Sequence, residues 1–186
     1  LEIDVAGTEK ITHGILRDDY DMGLVFNPPR NPDLELLAED HAPLCALVPP
    51  GFDLAKKESC TLSDTLNYPA ALLNPHFGVA KLLANVDQGN RLARDAFLTA
   101  DSINVAVHFV LSGGGITFLP AFAVSRQLRR GEVVAIPLTD HFLARVPSHL
   151  LVRKGRPKTA AVRAVTGMIR DRMEAFGSAW YPEEHA

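Results

Sequence analysis

Three side chains capable of chemistry fall in one stretch: Asp101, His108 and Ser112 offer an acid, a base and a nucleophile. A hydrolytic triad needs those groups within hydrogen-bond reach of one another. The apolar spacing from Ile103 onward predicts a helix, which holds Asp101 and His108 two turns apart and leaves Ser112 at its far end. The three do not converge. Cys45 and Cys60 are too few to staple a domain of this size and match no zinc spacing. Cys45 lies in an apolar run, where burial raises a thiol's pKa, so a regulatory redox pair is not expected. The histidines His13, His41, His76, His108, His141, His149 and His185 form no local pair at metal spacing, and no metal is expected. Glycines 113–115 sit between a predicted helix and a predicted strand. A phosphate loop has the reverse order, with Lys and Ser or Thr following.

What remains is hydrogen-bonding chemistry at predicted helix starts. The loop 74–78 and the cap 101–104 each place free backbone N–H groups after a strand, where an anion is favoured. Asn74, His76, Ser102 and Asn104 are polar there, Thr117 follows on the next strand, and Phe77 and Phe118 stand beside them; none of these segments contains Lys or Arg. The elements that position these residues alternate. Residues 70–73 read as a strand, Val79, Leu82, Leu83 and Val86 as one face of a helix, and 96–100 as a strand. After the helix from Ile103 and the glycine turn, 116–119 form a short strand. Pro120 is placed as the first residue of a helix running towards Gly131, with Arg126, Arg129 and Arg130 in its last turn.

The flanking segments supply a second alternation. Residues 1–5 alternate Leu, Glu, Ile, Asp, Val, the period of a half-buried strand. A helix over 8–17 with Ile11, Ile15 and Leu16 on one side and a strand over 22–26 follow, predicting a crossover with parallel strands. Residues 34–38 and 44–48 read as strands separated by a polar turn at 39–43, and Pro49, Pro50 and Gly51 break the chain. Strands at 133–138 and 148–152 return it. Thr159 caps a helix with Val162, Val165, Ile169 and Phe176 inward, and residues 180–186 show no pattern. The expected organisation is an α/β fold of two lobes, 1–48 plus 153–186 and 49–152.

Composition limits the function classes. The chain has 186 residues, 47% of them hydrophobic, with 19 basic against 22 acidic residues and a net charge of -3. No basic surface for nucleic acid, no membrane-spanning run and no secretion leader is expected.

The run VLSGGGITFLPAFAV at 110–124, GEVVAIPL at 131–138 and LLVRKGRPKTAAVRAVTGMI at 150–169 resembles the effector-binding domain of LysR-type transcriptional regulators. DMGLVF at 21–26 and APLCALVPP at 42–50 agree in order and spacing, so the similarity covers nearly the whole chain. The resemblance implies a two-lobed fold like that of type 2 periplasmic binding proteins, with a small effector in the cleft between lobes. It places the segments around residues 74 and 102 on that cleft. It also implies DNA binding through an N-terminal winged helix-turn-helix outside this sequence. Family domains begin with a strand and helix before the point where Leu1 aligns, and the loop between them helps hold the effector.

The leading expectation is a ligand-sensing, non-enzymatic domain of a cytoplasmic bacterial regulator, taking a small organic and anionic effector and no cofactor. A homodimer or homotetramer is expected, with Ile11, Ile15 and residues 79–86 at the contact between domains. The alternatives are a transporter's solute-binding protein, or an enzyme on this fold such as a deaminase or a prephenate dehydratase-like lyase. An enzyme would need a named acid, base or nucleophile, and none can be named.

Overall fold

The computed structural model describes residues 1–87, 89 and 91–178. In chain order, α1 (Thr8–Leu16) leads to β1 (Gly23–Phe26), β2 (Leu34–Ala42) and β3 (Leu44–Val48). A 3-10 turn (Asp53–Lys56) and the single-turn α2 (Leu62–Thr65) precede β4 (Ala70–Leu73), α3 (Gly78–Val86), α4 (Arg91–Asp95) and β5 (Leu98–Ala100). Then come α5 (Ile103–Leu111), β6 (Ile116–Pro120), a 3-10 turn (Ala121–Val124), α6 (Ser125–Arg129), β7 (Val134–Pro137), β8 (Val146–Arg153) and α7 (Ala160–Ser178). The patternless residues 180–186 lie outside the described residues, as does the side chain of Phe176.

The chain divides into two compact units, one formed by Leu1–Ala42 with the segment from Pro147 onward, the other by Pro43–Val146. The first unit carries a sheet in the order β1-β8-β2. β1 and β8 run antiparallel, with Gly23 opposite Leu151 and Val25 opposite His149. Ile15, Val25 and Leu151 form a core cluster against which Ile11, Tyr20 and Leu34 pack. α1 lies close enough that a Cβ on Gly23 would stand 2.4 Å from Ile11 Cγ2, so only glycine fits beneath it. Thr159 caps the start of α7, its hydroxyl accepting from the Val162 N–H at 3.2 Å.

Four sequence expectations change here. Residues 1–5 form no strand, and Leu1, Ile3 and Val5 are 100%, 78% and 77% exposed. Alternation makes a segment fit for a sheet, but a strand exists only where a partner supplies the other half of its ladder. Consequently no parallel crossover joins residues 1–5 to β1, which pairs antiparallel with β8. The polar stretch 39–43 is no turn, because β2 continues to Ala42 and Glu39 finds a partner across the sheet: His149 Nε2 of β8 lies 2.8 Å from its carboxylate, and His41 Nε2 of the same strand lies 3.4 Å from it. Ile15 is fully buried within its own unit and Val79, Leu82 and Leu83 are buried, so these four side chains are not free to meet another domain, whereas Ile11 and Val86 stay half-buried.

The second unit carries the sheet β5-β4-β6-β3-β7. β4 runs parallel to both β5 and β6, with Leu73 opposite Ala100 and Ala71 opposite Thr117. β3 is antiparallel to β6 and β7, and its five residues are buried throughout, which explains its unbroken apolar sequence. Pro120 closes β6 instead of opening a helix: its φ of -65° suits either state, and its ψ of 144° is extended. The chain goes on through a 3-10 turn to a five-residue α6. The chain order reverses at β4, with β5 on one side and β6 on the other. Crevices at the carboxyl ends of such strands are where open α/β sheets gather ligands.

Candidate functional site

Because β4 and β5 are parallel and in register, the residues that follow them come out side by side. Asn74 follows β4, and its backbone N–H donates to the Ala100 carbonyl at 3.0 Å, clamping the loop to the end of β5. Its side-chain Nδ2 donates to Asp101 Oδ1. His76 Nε2 faces the same oxygen at 3.6 Å, and the His76 ring rests against Phe77 with centroids 4.7 Å apart. Phe77, 7% exposed, is the N-cap of α3, and its N–H returns to the Asn74 carbonyl at 3.0 Å. The loop is therefore ordered by its own backbone and anchored by one aromatic side chain.

Ser102 is the N-cap of α5, in the expected place, but its hydroxyl makes no capping bond. Its carbonyl accepts from Ala106 N–H at 3.3 Å. Asn104 stands exposed in the first turn. Helix starts leave their first N–H groups without intrahelical acceptors, so the nine-residue α5 presents donors beside Asp101. The nine-residue α3 begins next to His76.

Asn74, His76, Phe77, Ser102 and Asn104 thus gather at two adjacent strand ends. Thr117 and Phe118 lie elsewhere. Thr117 is opposite Ala71, two residues or about 7 Å back from the end of β4. It is fully buried, and its hydroxyl donates to the Ala71 carbonyl at 2.8 Å, binding β6 to β4. Phe118 is 1% exposed in the core. The residue that sequence reasoning undervalued is Asp101, weighed there as the acid of a triad and as part of a helix cap. In the fold it is the centre of the cluster. The signal lay in two strands ending at matching positions, and register is not written in either strand alone.

Ser112 Oγ donates to the Phe109 carbonyl at 2.9 Å, so it takes no part in a triad with Asp101. Among the described residues, no group of His, Cys, Asp and Glu is arranged to hold a metal ion. Burial pushes the Cys45 thiol up to about 12 and Cys60 up to about 11. In the first unit a groove of about 330 Å³ beside α1 is lined by Lys10, His13, Gly14, Arg17, Asp19 and Tyr20. Lys10 Nζ there lies 3.0 Å from Asp4, to which the Tyr20 hydroxyl also donates at 2.5 Å. Among the described residues no helix is long and apolar enough to cross a membrane.

Solved structures share this fold. The effector binding domain of QuiR in complex with shikimate superposes with a TM-score of 0.69 at 18% identity, over 92% of this chain and 80% of that one. A reduced form of OxyR from N. meningitidis gives 0.69 at 20% identity, over 89% and 78%. The BenM effector binding domain with benzoate gives 0.63 at 21%, over 91% and 78%. Against full-length BenM, the chain spans 56% of the regulator. A family model, the LysR substrate binding domain, matches residues 1–174. That match takes in both units and every residue of the cluster around Asp101, and the chain belongs to the LysR substrate-binding domain family, whose members are the effector-binding, regulatory domains of LysR-type transcription regulators with a two-lobed, periplasmic-binding-protein-like α/β fold.

Proposed function

We propose that this chain senses a small organic acid at the ends of β4 and β5, and that the bound acid controls DNA binding by an N-terminal domain outside this sequence. The observation that carries the reading is the meeting of two helix starts with Asn74, His76, Ser102 and Asn104, in segments holding no Lys or Arg. Backbone N–H groups at a helix start favour an anion by about 0.3–1 kcal/mol when exposed and up to about 2 when partly buried. Two starts with side-chain donors can reach micromolar affinity, about -8 kcal/mol, without a formal positive charge. The ligands of two neighbours, shikimate and benzoate, are both carboxylates, which supports the class of ligand.

In this reading the chain performs no catalysis and needs no cofactor. The regulator works in the cytoplasm as a homodimer or homotetramer. Titration calorimetry of the purified protein with shikimate and benzoate tests the site. Asn74→Ala removes one donor and the clamp on Asp101, so affinity for either acid should fall by about tenfold, equivalent to one charge-assisted hydrogen bond. Binding of both acids with affinity unchanged in that variant contradicts the assignment.

A further inference from the structure

We infer that the groove beside α1 is a second ligand site, built for a small zwitterion, an α-amino acid. The inference stands apart from the acid-binding reading of the strand ends. The groove has a volume of about 330 Å³ and is lined by Lys10, His13, Gly14, Arg17, Asp19 and Tyr20. Lys10, His13 and Arg17 are spaced by three and four residues, which puts them on one side of α1 and its C-cap. The other wall is the chain turning back. Asp18 takes a φ of +64°, and the N–H groups of Asp19 and Tyr20 both donate to the Gly14 carbonyl, at 2.8 and 3.2 Å. Tyr20 lies so close over α1 that a Cβ on Gly14 would stand 2.3 Å from Tyr20 Cδ2. The Asp18 carboxylate is held in turn by Arg153 and, at 3.1 Å, by Arg156, so this wall is preorganised.

The charges around the groove divide into those already matched and those not. Lys10 Nζ lies 3.0 Å from the Asp4 carboxylate, which also accepts from the Tyr20 hydroxyl at 2.5 Å. That contact shows the rim of the groove holding a carboxylate with one cation and one hydroxyl. Asp18 is matched by its two arginines. His13, Arg17 and Asp19 remain. Among the described residues their side chains make no ion pair or hydrogen bond, and Arg17 and Asp19 do not pair with each other although they line one groove. Unlike charges that share a groove and stay apart are satisfied together by a molecule carrying both opposite signs. The Arg17 guanidinium takes a carboxylate with its planar fork of N–H donors, and the Asp19 carboxylate accepts from an ammonium. His13, four residues before Arg17, adds a donor on the carboxylate's side, and the Tyr20 ring offers a flat surface to the ligand's apolar group. A plain acid leaves Asp19 unmatched beside its own negative charge, and a plain amine does the same to Arg17. Each therefore fills half of the site, and the difference is specificity.

Phenylalanine, 3-phenylpropanoate and 2-phenylethylamine share a ring and differ in charge, so they serve as probes, titrated into labelled protein and followed by proton–nitrogen correlation spectra. Phenylalanine should give saturable shifts on the amides of His13, Gly14, Arg17, Asp19 and Tyr20, with a Kd at least about threefold lower than either single-charge probe gives at those amides. Arg17→Gln and Asp19→Asn replace exposed side chains and should fold, as circular dichroism will verify. Each should weaken phenylalanine binding by about threefold or more, and Asp19→Asn should remove the advantage of phenylalanine over 3-phenylpropanoate. No saturable shift at these amides, equal affinities of the three probes there, or a phenylalanine affinity unchanged in either variant overturns the inference. Phenylalanine shifts confined to the amides that follow β4 and β5 also overturn it, and leave the acid-binding reading standing.

Discussion

Gly115 is the position where a single methyl group should do most damage. Its φ is +156°, and a Cβ built on it would stand 2.0 Å from the Pro69 carbonyl oxygen and 2.7 Å from Phe109 Cε1. The oxygen belongs to backbone and cannot swing aside as a side chain could. That same oxygen accepts the Ile116 N–H at 2.9 Å, the bond that starts the β4 and β6 pairing at Ala70 opposite Ile116. Gly115→Ala must therefore separate the two segments and lose the bond. Overpacking of this kind costs about 1–3 kcal/mol, and a buried hydrogen bond about 0.5–1.5, giving roughly 2–4 kcal/mol on top of the backbone cost of a positive φ. Gly113→Ala is the control: its φ of +76° is equally unsuited to alanine, but no atom lies within 4 Å of the added methyl. Its cost is the backbone term alone, about 1–2 kcal/mol. Urea unfolding of the two variants beside wild type, followed by circular dichroism, separates them. If Gly115→Ala proves no more destabilising than Gly113→Ala, the close approach of β6 to Pro69 is wrong.

Thr117→Val keeps the volume but deletes the hydroxyl that donates to Ala71, so stability should fall by about 1–3 kcal/mol while affinity for acids stays unchanged. Lost affinity with stability intact would return Thr117 to the ligand. Cys45 and Cys60, with thiols raised to about 12 and about 11 by burial, should resist iodoacetamide at pH 8 in the native protein and react on unfolding in urea. Reaction of either at the rate of a free thiol would contradict their burial. Asp64 closes the Thr61 capping box, and the Thr61 backbone N–H, Lys57 and the Thr61 hydroxyl hold its carboxyl down at about 2. The folded value lies below the unfolded one, so its stabilisation is present above about pH 4 and is lost as pH falls through about 2. The urea midpoint of Asp64→Asn should accordingly depend less steeply on pH in that window than that of wild type; equal slopes would remove Asp64 from the account.

Local patterns were readable where the chain itself decides the outcome. Ile11 and Ile15 one turn apart mark the buried side of α1, and Ser102 marks the start of α5, because both follow from spacing within a few residues. Residues 1–5 carry an equally clear alternation and form no strand, since a strand's existence depends on a partner that alternation does not describe. Glu39, Asp40 and His41 read as a turn because they are polar. The approach of His149 across the sheet gives Glu39 a partner that the local sequence does not show. The candidate site divides the same way. Helix starts with free donors were legible, whereas the bond between Asn74 and Asp101, 27 residues apart, exists only through the register of β4 on β5. Thr117 looked available as a polar residue on a strand, and the neighbouring strand that takes its hydroxyl lies 46 residues earlier.

The central claim is that an organic acid binds where α3 and α5 begin. Proton–nitrogen correlation spectra of the labelled protein, titrated with a carboxylate that binds, test it most directly. The account predicts saturable shifts concentrated on the amides of Asn74, His76, Phe77 and Val79 and of Ser102, Ile103, Asn104 and Val105, with an Asn74→Ala sample needing more acid to reach the same change. Saturable shifts confined to other amides, such as those of Lys10, His13 and Arg17 in the groove beside α1, would contradict it.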